Sequence, residues 1–281
     1  LKNDGTVWAW GRNDKGQLGD TTTSDSIVPI QVKDNTGSDL TGIIAISART
    51  TFVLALKNDG TVWAWGENHY AQLGRGSTAP AYEKQAVQTN ITGTVVQISA
   101  GGLHALALKD DGTVWGWGRN HREQVLKGGA DPILSPVATI APNSKMIACG
   151  AYHSIVATTD NKVLTWGDNQ YGQLGDNTWT SKGDPELTFG GLLNNPSIIV
   201  GGYTHNIVKL ANGDLYSWGN NKHGQLGIGH ASTVIIPNLI SSGTNIYQIS
   251  GSKDFSICLT YNGELYAMGR NNYGQIGDST T

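Results

Sequence analysis

The chain has 281 residues, 38 glycines, only 15% charged residues and a formal net charge of −3. A weakly acidic balance excludes a strong electrostatic attraction to nucleic acid, and no apolar run approaches the roughly 18 residues that a membrane helix needs. Glycine at about twice its usual share is the signature of a turn-rich all-β chain.

The first residues, Leu1–Gly5 (LKNDG), repeat at Leu56–Gly60, so the sequence enters inside a repeated unit. An alternating strand follows at Thr6–Trp10 and ends on a Trp-Gly step. That step returns at Gly11, Gly66, Gly118, Gly167, Gly219 and Gly269, between 49 and 55 residues apart. Trp precedes it at Trp10, Trp65, Trp117, Trp166 and Trp218, and Met268 stands there in the last copy. A residue repeated in every unit builds the unit, so these rings are read as structural. So are the amides of the following loop: Asn13, Asn68, Asn120, Asn169, Asn221 and Asn271, then Gln17, Gln72, Gln124, Gln173, Gln225 and Gln275. Amides in irregular loops replace missing ladder bonds.

Next comes a strand near Pro29–Val32, with Pro136, Pro185 and Pro237 at the same offset; proline suits a strand start or an edge. The apolar run Ile43–Ser47 is the following strand, with partners at Val95–Ser99, Met146–Cys149, Ile198–Val200 and Ile246–Ser250. A Gly-rich step and one ring residue (Phe52, His104, His153, His205, Phe255) lead into Val53–Leu56 and its equivalents. Asn58-Asp59-Gly60 is a hairpin turn, which needs positive φ. The fourth unit has Asn161 at that glycine, and the third reads Glu123-Gln124-Val125-Leu126 where others read GQLG. Asp278–Thr281 matches Asp20–Thr23, so the sequence also leaves inside a unit. The 281 residues at a mean spacing of 51.6 make about 5.4 units.

Four short strands per unit without helical periodicity predict an all-β fold, a β-propeller of four-stranded antiparallel blades. Residues 1–281 read as one array, cut mid-repeat at both ends, with six or seven blades in the intact ring. Cys149 and Cys258 occupy non-equivalent positions and read as free thiols packed as small hydrophobes.

The pattern DGTVWAWGxNxxGQLGD, a Pro, then SAGGxHALAL resembles the regulator of chromosome condensation repeat over essentially the whole chain. The resemblance implies a propeller, seven-bladed in that family. The namesakes of that family are guanine-nucleotide exchange factors that act on a small GTPase through an inserted loop wedge. No long insertion of that kind occurs here. A bacterial relative inhibits β-lactamases, and a plant relative senses ultraviolet light through G-W-R-H-T motifs; no Gly-Trp-Arg is present. The Asn/Thr-rich, charge-poor style is most similar to bacterial surface or secreted arrays.

No nucleophile elbow, H-E-x-x-H, Walker-type loop or calcium loop occurs. The expectation is therefore no enzyme, no cofactor and no metal. His104, His153 and His205 alternate with phenylalanines that bind no metal. His69, His121 and His223 lie in separate loops, and His230 in a variable one.

In an up-and-down meander, the loop after the Trp-Gly strand and the loop before the ring residue emerge at one end. Variable positions there are the candidate binding face: Arg12, Lys15, Glu67, Tyr70, Arg119, Arg122, Asp168, Tyr171, His223, Arg270 and Tyr273 from the first set. From the second come Arg49, Leu103, Tyr152, Tyr203 and Lys253. Tyr and Arg are enriched at binding hot spots. Trp179, in the variable loop Asn177–Asp184, is either a packing anchor or an exposed contact.

The expected function is a non-catalytic protein- or ligand-binding module of a larger secreted or surface protein. The alternative is an exchange-factor-like or enzyme-inhibiting propeller, which would be cytoplasmic. A protein partner is expected, nucleic acid is not, and the cut ends make self-association an expectation.

Overall fold

Each blade is built outward from one tight turn. In residues 57–61 the Lys57 carbonyl accepts the Gly60 N–H at 3.0 Å, and the Lys57 N–H donates to the Thr61 carbonyl at 2.9 Å. Asp59 Oδ1 then accepts both the N–H (3.0 Å) and the O–H (2.6 Å) of Thr61. Gly60 sits at φ +81°, a conformation that glycine adopts at little steric expense. The fourth unit keeps the turn because Asn161 adopts φ +70°, which Asn tolerates better than other side chains.

The computed structural model describes residues 1–280. They form antiparallel meanders: β1 (Trp8–Gly11) with β2 (Ser26–Gln31), then four four-stranded blades and one of three strands. The first full blade holds β3 (Ile43–Ala48), β4 (Phe52–Lys57), β5 (Val62–Glu67) and β6 (Tyr82–Gln88). The second holds β7 (Val95–Ala100), β8 (His104–Lys109), β9 (Val114–Gly118) and β10 (Ile133–Ala138). The third holds β11 (Ser144–Cys149), β12 (His153–Thr158), β13 (Val163–Gly167) and β14 (Lys182–Leu187). The fourth holds β15 (Pro196–Gly201), β16 (His205–Leu210), β17 (Leu215–Gly219) and β18 (Val234–Ser241). The last has β19 (Ile246–Gly251), β20 (Phe255–Thr260) and β21 (Leu265–Gly269). The helix among the described residues is one 3-10 turn, Phe189–Gly191.

The propeller class and the four-stranded blade are therefore present, but the blade count is corrected. The described residues make five blades, not six or seven, with the β1–β2 pair besides. Six or seven were expected of an intact ring, from about 5.4 units and the seven-bladed family resembled; the first Trp-Gly copy sits on β1, whose sheet has two strands.

The chain forms two compact units: Leu1–His121 with Gly128–Ile140, and Arg122–Lys127 with the chain from Ala141 onward. The first unit's core joins Val7, Val32, Leu40, Ile43, Ala55, Trp65 and Ala86. The second has one cluster around Ile155, Val163, Val208 and Trp218 and another around Ile207, Ile246, Ile249 and Cys258.

Candidate binding faces and the repeat scaffold beneath them

The register Phe52↔Gly66 places the β3–β4 loop and the loop after β5 at one end of the blade. Gly66 lies at φ +96°, and a Cβ there would meet the Thr51 carbonyl oxygen at 2.3 Å, so the two loops touch through backbone. The preceding Trp side chains lock blade to blade within each unit. Trp65 Nε1 donates to the Gln17 carbonyl (3.0 Å), Trp117 to Gln72 (2.8 Å) and Trp218 to Gln173 (3.0 Å). All three rings are buried. Trp166 is equally buried, but its indole N–H has no acceptor among the described residues. Trp10 is 62% exposed and does not share the packing of the others.

The loop amides act as internal ligands of the backbone. Asn13 Nδ2 donates to Asp20 Oδ1 and to the carbonyls of Thr22 and Ser24, while its Oδ1 accepts the Leu18 N–H at 2.9 Å. Asn68, Asn169, Asn221 and Asn271 repeat the arrangement, and Asn120 is buried beside the Asp131 carboxylate that takes its N–H. Gln17, Gln72, Gln124, Gln173, Gln225 and Gln275 each accept, through Oε1, the N–H two residues earlier.

The ring residues at the start of β12 and β16 are linked to the next blade. His153 Nε2 lies 2.7 Å from Asn206 Oδ1, and Asn206 Nδ2 donates to the Gln173 carbonyl. His205 Nε2 lies 2.8 Å from Ser256 Oγ, whose hydroxyl donates to the Gln225 carbonyl. Both acceptors require the proton on Nε2. Where Phe52 takes the histidine position, the next blade has the apolar Ala105 at the position of Asn206 and Ser256.

Above this scaffold the candidate residues sort unequally. In the first unit Arg119 stacks over Tyr70 at 4.4 Å. Glu67 bonds locally to Thr51 and His69, Arg12 pairs with Asp14, and Arg49 Nε donates to the Ala100 carbonyl. Lys15 and Leu103 are half-buried. In the second unit Tyr152 meets Tyr203 edge-on at 6.1 Å, and Lys253 Nζ lies 5.8 Å from the centre of the Tyr203 ring. Arg270 reaches Asp254 (3.4 Å) and Tyr273 (5.9 Å). Tyr171 is exposed and His223 half-buried. Asp168 is not a surface group: its side chain is 5% exposed and anchors Gln173 Nε2 at 2.7 Å beside Arg122. Trp179 is 54% exposed. Cys149 and Cys258 are both buried thiols outside any disulfide, and burial pushes the Cys258 thiol up to about 11.

Sequence reasoning overlooked a second aromatic position, three residues before each step glycine. It is occupied by Trp8, Trp63, Trp115, Leu164, Tyr216 and Tyr266. In the first unit each indole N–H bonds the turn threonine (3.2, 3.2 and 3.1 Å) and carries a lysine: Lys2 over Trp8, Lys57 over Trp63, Lys109 over Trp115. The signal was legible as K-x-D-G-T-V-W.

Blades of this repeat place the chain among the regulator of chromosome condensation propellers. Residues 38–281 match the RCC1-like domain and residues 4–56 the regulator of chromosome condensation (RCC1) repeat, so the chain belongs to the RCC1-like domain family. It is 31% identical over 260 residues to the ultraviolet-B receptor UVR8 of Arabidopsis thaliana, covering 90% of this chain and 58% of the receptor. It is 28% identical over 247 residues to the human E3 ubiquitin-protein ligase HERC2, covering 86% of this chain and 5% of the ligase. The crystal structure of Prp20p from Saccharomyces cerevisiae, described with its binding properties to Gsp1p and histones, has the same fold. Its TM-score is 0.83 at 23% identity, covering 98% of this chain and 69% of that one. These relatives are eukaryotic, and they lend no support to a bacterial surface or secreted type. The chain spans well under two thirds of both sequence relatives.

Proposed function

We propose that this chain is a non-catalytic protein-binding module that works through the loop-bearing end of its blades. The observation that carries the reading is the Tyr152–Tyr203–Lys253 row. It is a set of two half-buried tyrosines and an exposed lysine on loops whose backbone is held from below by buried amides and histidines. Such pre-ordered Tyr and cationic groups lose little entropy on binding. Relatives support the class: Prp20p is described with binding properties to Gsp1p and histones. The HERC2 match covers only 5% of that ligase, so its enzymatic name describes a protein that is mostly outside the match. An extracellular or surface setting rests on composition alone, and the binding reading does not depend on it.

The test uses a small GTPase and core histones as probes in pull-down and interferometry with the purified chain. Tyr152→Ala with Tyr203→Ala is expected to weaken probe binding by about tenfold or more, ~1.4 kcal/mol. Binding that survives this change undiminished moves the site off the loop face.

A further inference from the structure

The aromatic position three residues before each step glycine is filled in five of its six copies and emptied in one, where Leu164 stands. The two blades of the first unit show what the seat normally holds. Trp63 lies under Lys57 at 5.3 Å and Trp115 under Lys109 at 3.7 Å, each with a turn carboxylate, Asp59 or Asp111, beside the lysine. The β11–β14 blade changes both occupants together. Leu164 replaces the indole, and Thr158 replaces the lysine at the end of β12. The register of β12 against β13, from His153↔Gly167 to Ala157↔Val163, matches that of β8 against β9. The loss is therefore one of side chains, not of backbone.

A cavity of about 750 Å³ lies there, lined by Pro142, Asn143, Thr158, Leu164, Pro185 and Leu187, with Asp160 and Lys162 at its rim. That volume lies in the range of pockets that take small ligands, ample for one aromatic side chain with a basic neighbour. Its apolar walls are open: Leu187 is 40% exposed, and Leu164 and Pro185 are half-buried. Asp160 keeps the place of the turn carboxylates, but its partner is now Lys162 at 2.7 Å, with both side chains more than half exposed. An exposed pair of that kind contributes little and exchanges readily with an incoming cation.

We propose that this seat binds an aromatic side chain, with a basic neighbour, from an extended segment of a partner protein. The partner's ring takes the place that Trp63 and Trp115 fill in their own blades. Its cation takes the place of Lys57 and Lys109, opposite the retained Asp160. The site sits at the turn end of its blade, away from the loop end, so the two can be occupied independently. Burial of the ring supplies the attraction, and the cation over the ring adds to it.

The experiment follows the Leu164 and Leu187 methyl resonances of the full chain while acetyl-Lys-Trp-amide, acetyl-Lys-Ala-amide and acetyl-Glu-Trp-amide are added in turn. The Lys-Trp probe is expected to shift both methyls, the Lys-Ala probe to leave them in place, and the Glu-Trp probe to bind several-fold more weakly. Thr158→Lys with Leu164→Trp rebuilds the internal occupant and is expected to weaken Lys-Trp binding by about tenfold or more, read on Leu187, with thermal stability kept or raised. Leu187→Asp at the open lip gives the same loss without touching the core, should the double variant fold poorly. Equal shifts from the Lys-Ala and Lys-Trp probes, no shift at millimolar Lys-Trp, or undiminished binding to both variants would each overturn the assignment.

Discussion

One residue type, the step tryptophan, carries different work in different copies, and burial separates them. Trp65 is 1% exposed and bonded to the preceding loop, whereas Trp10 is 62% exposed. Trp65→Ala is expected to destabilise by about 3–5 kcal/mol, and Trp10→Ala by no more than about 0.5 kcal/mol. Denaturant midpoints compare them, and equal effects would contradict the packing described. The histidine links make a sharper test. His205→Phe leaves the Ser256 hydroxyl with one buried partner fewer and is expected to cost about 1–3 kcal/mol. Adding Ser256→Ala recreates the Phe52/Ala105 pairing and should restore part of that loss. A double-mutant cycle reads the coupling, and strict additivity would show that the two side chains do not act together. The recurrence of these ring positions was plain in the sequence. The pairing of ring type with the next blade's neighbour was not, because those partners lie about fifty residues apart and meet only across blades.

At the scale of the element, the strands on either side of the tight turn were legible because Asn-Asp-Gly and period-two alternation state them locally. The outermost strand of each blade was harder to place. It was expected near its proline, at a strand start or an edge, and β2, β10, β14 and β18 each carry Pro29, Pro136, Pro185 or Pro237 as their fourth residue. The strand lies on the sheet edge, where proline's missing N–H leaves no ladder bond unmade, and its pairing is interrupted by register shifts. A bulged edge strand has weak periodicity to read. The loop that feeds β14 holds the best-defined charge. The Asp176 side chain is 6% exposed and 2.8 Å from Lys182 Nζ. Burial acts to raise its pKa, but the hydrogen bonds from Lys182 and Thr178 outweigh burial and hold it below the ordinary carboxylate value. A depressed folded pKa contributes stability above the unfolded value, near 4, that is lost as pH falls through the folded one. Asp176→Asn should therefore lower stability near neutrality and flatten the acid limb, with the two stability curves converging as pH falls through the folded pKa. An unaltered slope below about pH 4 would show that this carboxylate does not titrate with folding.

Across the whole molecule, the faces that the blades leave open decide how the chain behaves in solution. On the last blade Tyr247, Tyr261, Leu265 and Tyr266 are 56–66% exposed, and Tyr247 and Tyr261 are already in contact at 5.2 Å. In the other blades the position of Tyr266 is half-buried, as for Trp63 and Tyr216. Among the described residues β1 pairs with β2 on one edge and with no strand on the other. Contiguous apolar surface and unpaired strand edges both recruit partners. The 281-residue chain is therefore expected to associate with itself as its concentration rises. Sedimentation velocity checks this directly, and Leu265→Lys with Tyr266→Lys should return the chain to a monomer, because two charges on that face oppose its burial. The substitutions lie on exposed side chains, so the far-ultraviolet β signature should not change with them. A chain that sediments as a monomer at every concentration, with slowly exchanging amides throughout β1, would show that neither the open face nor the open edge recruits a partner.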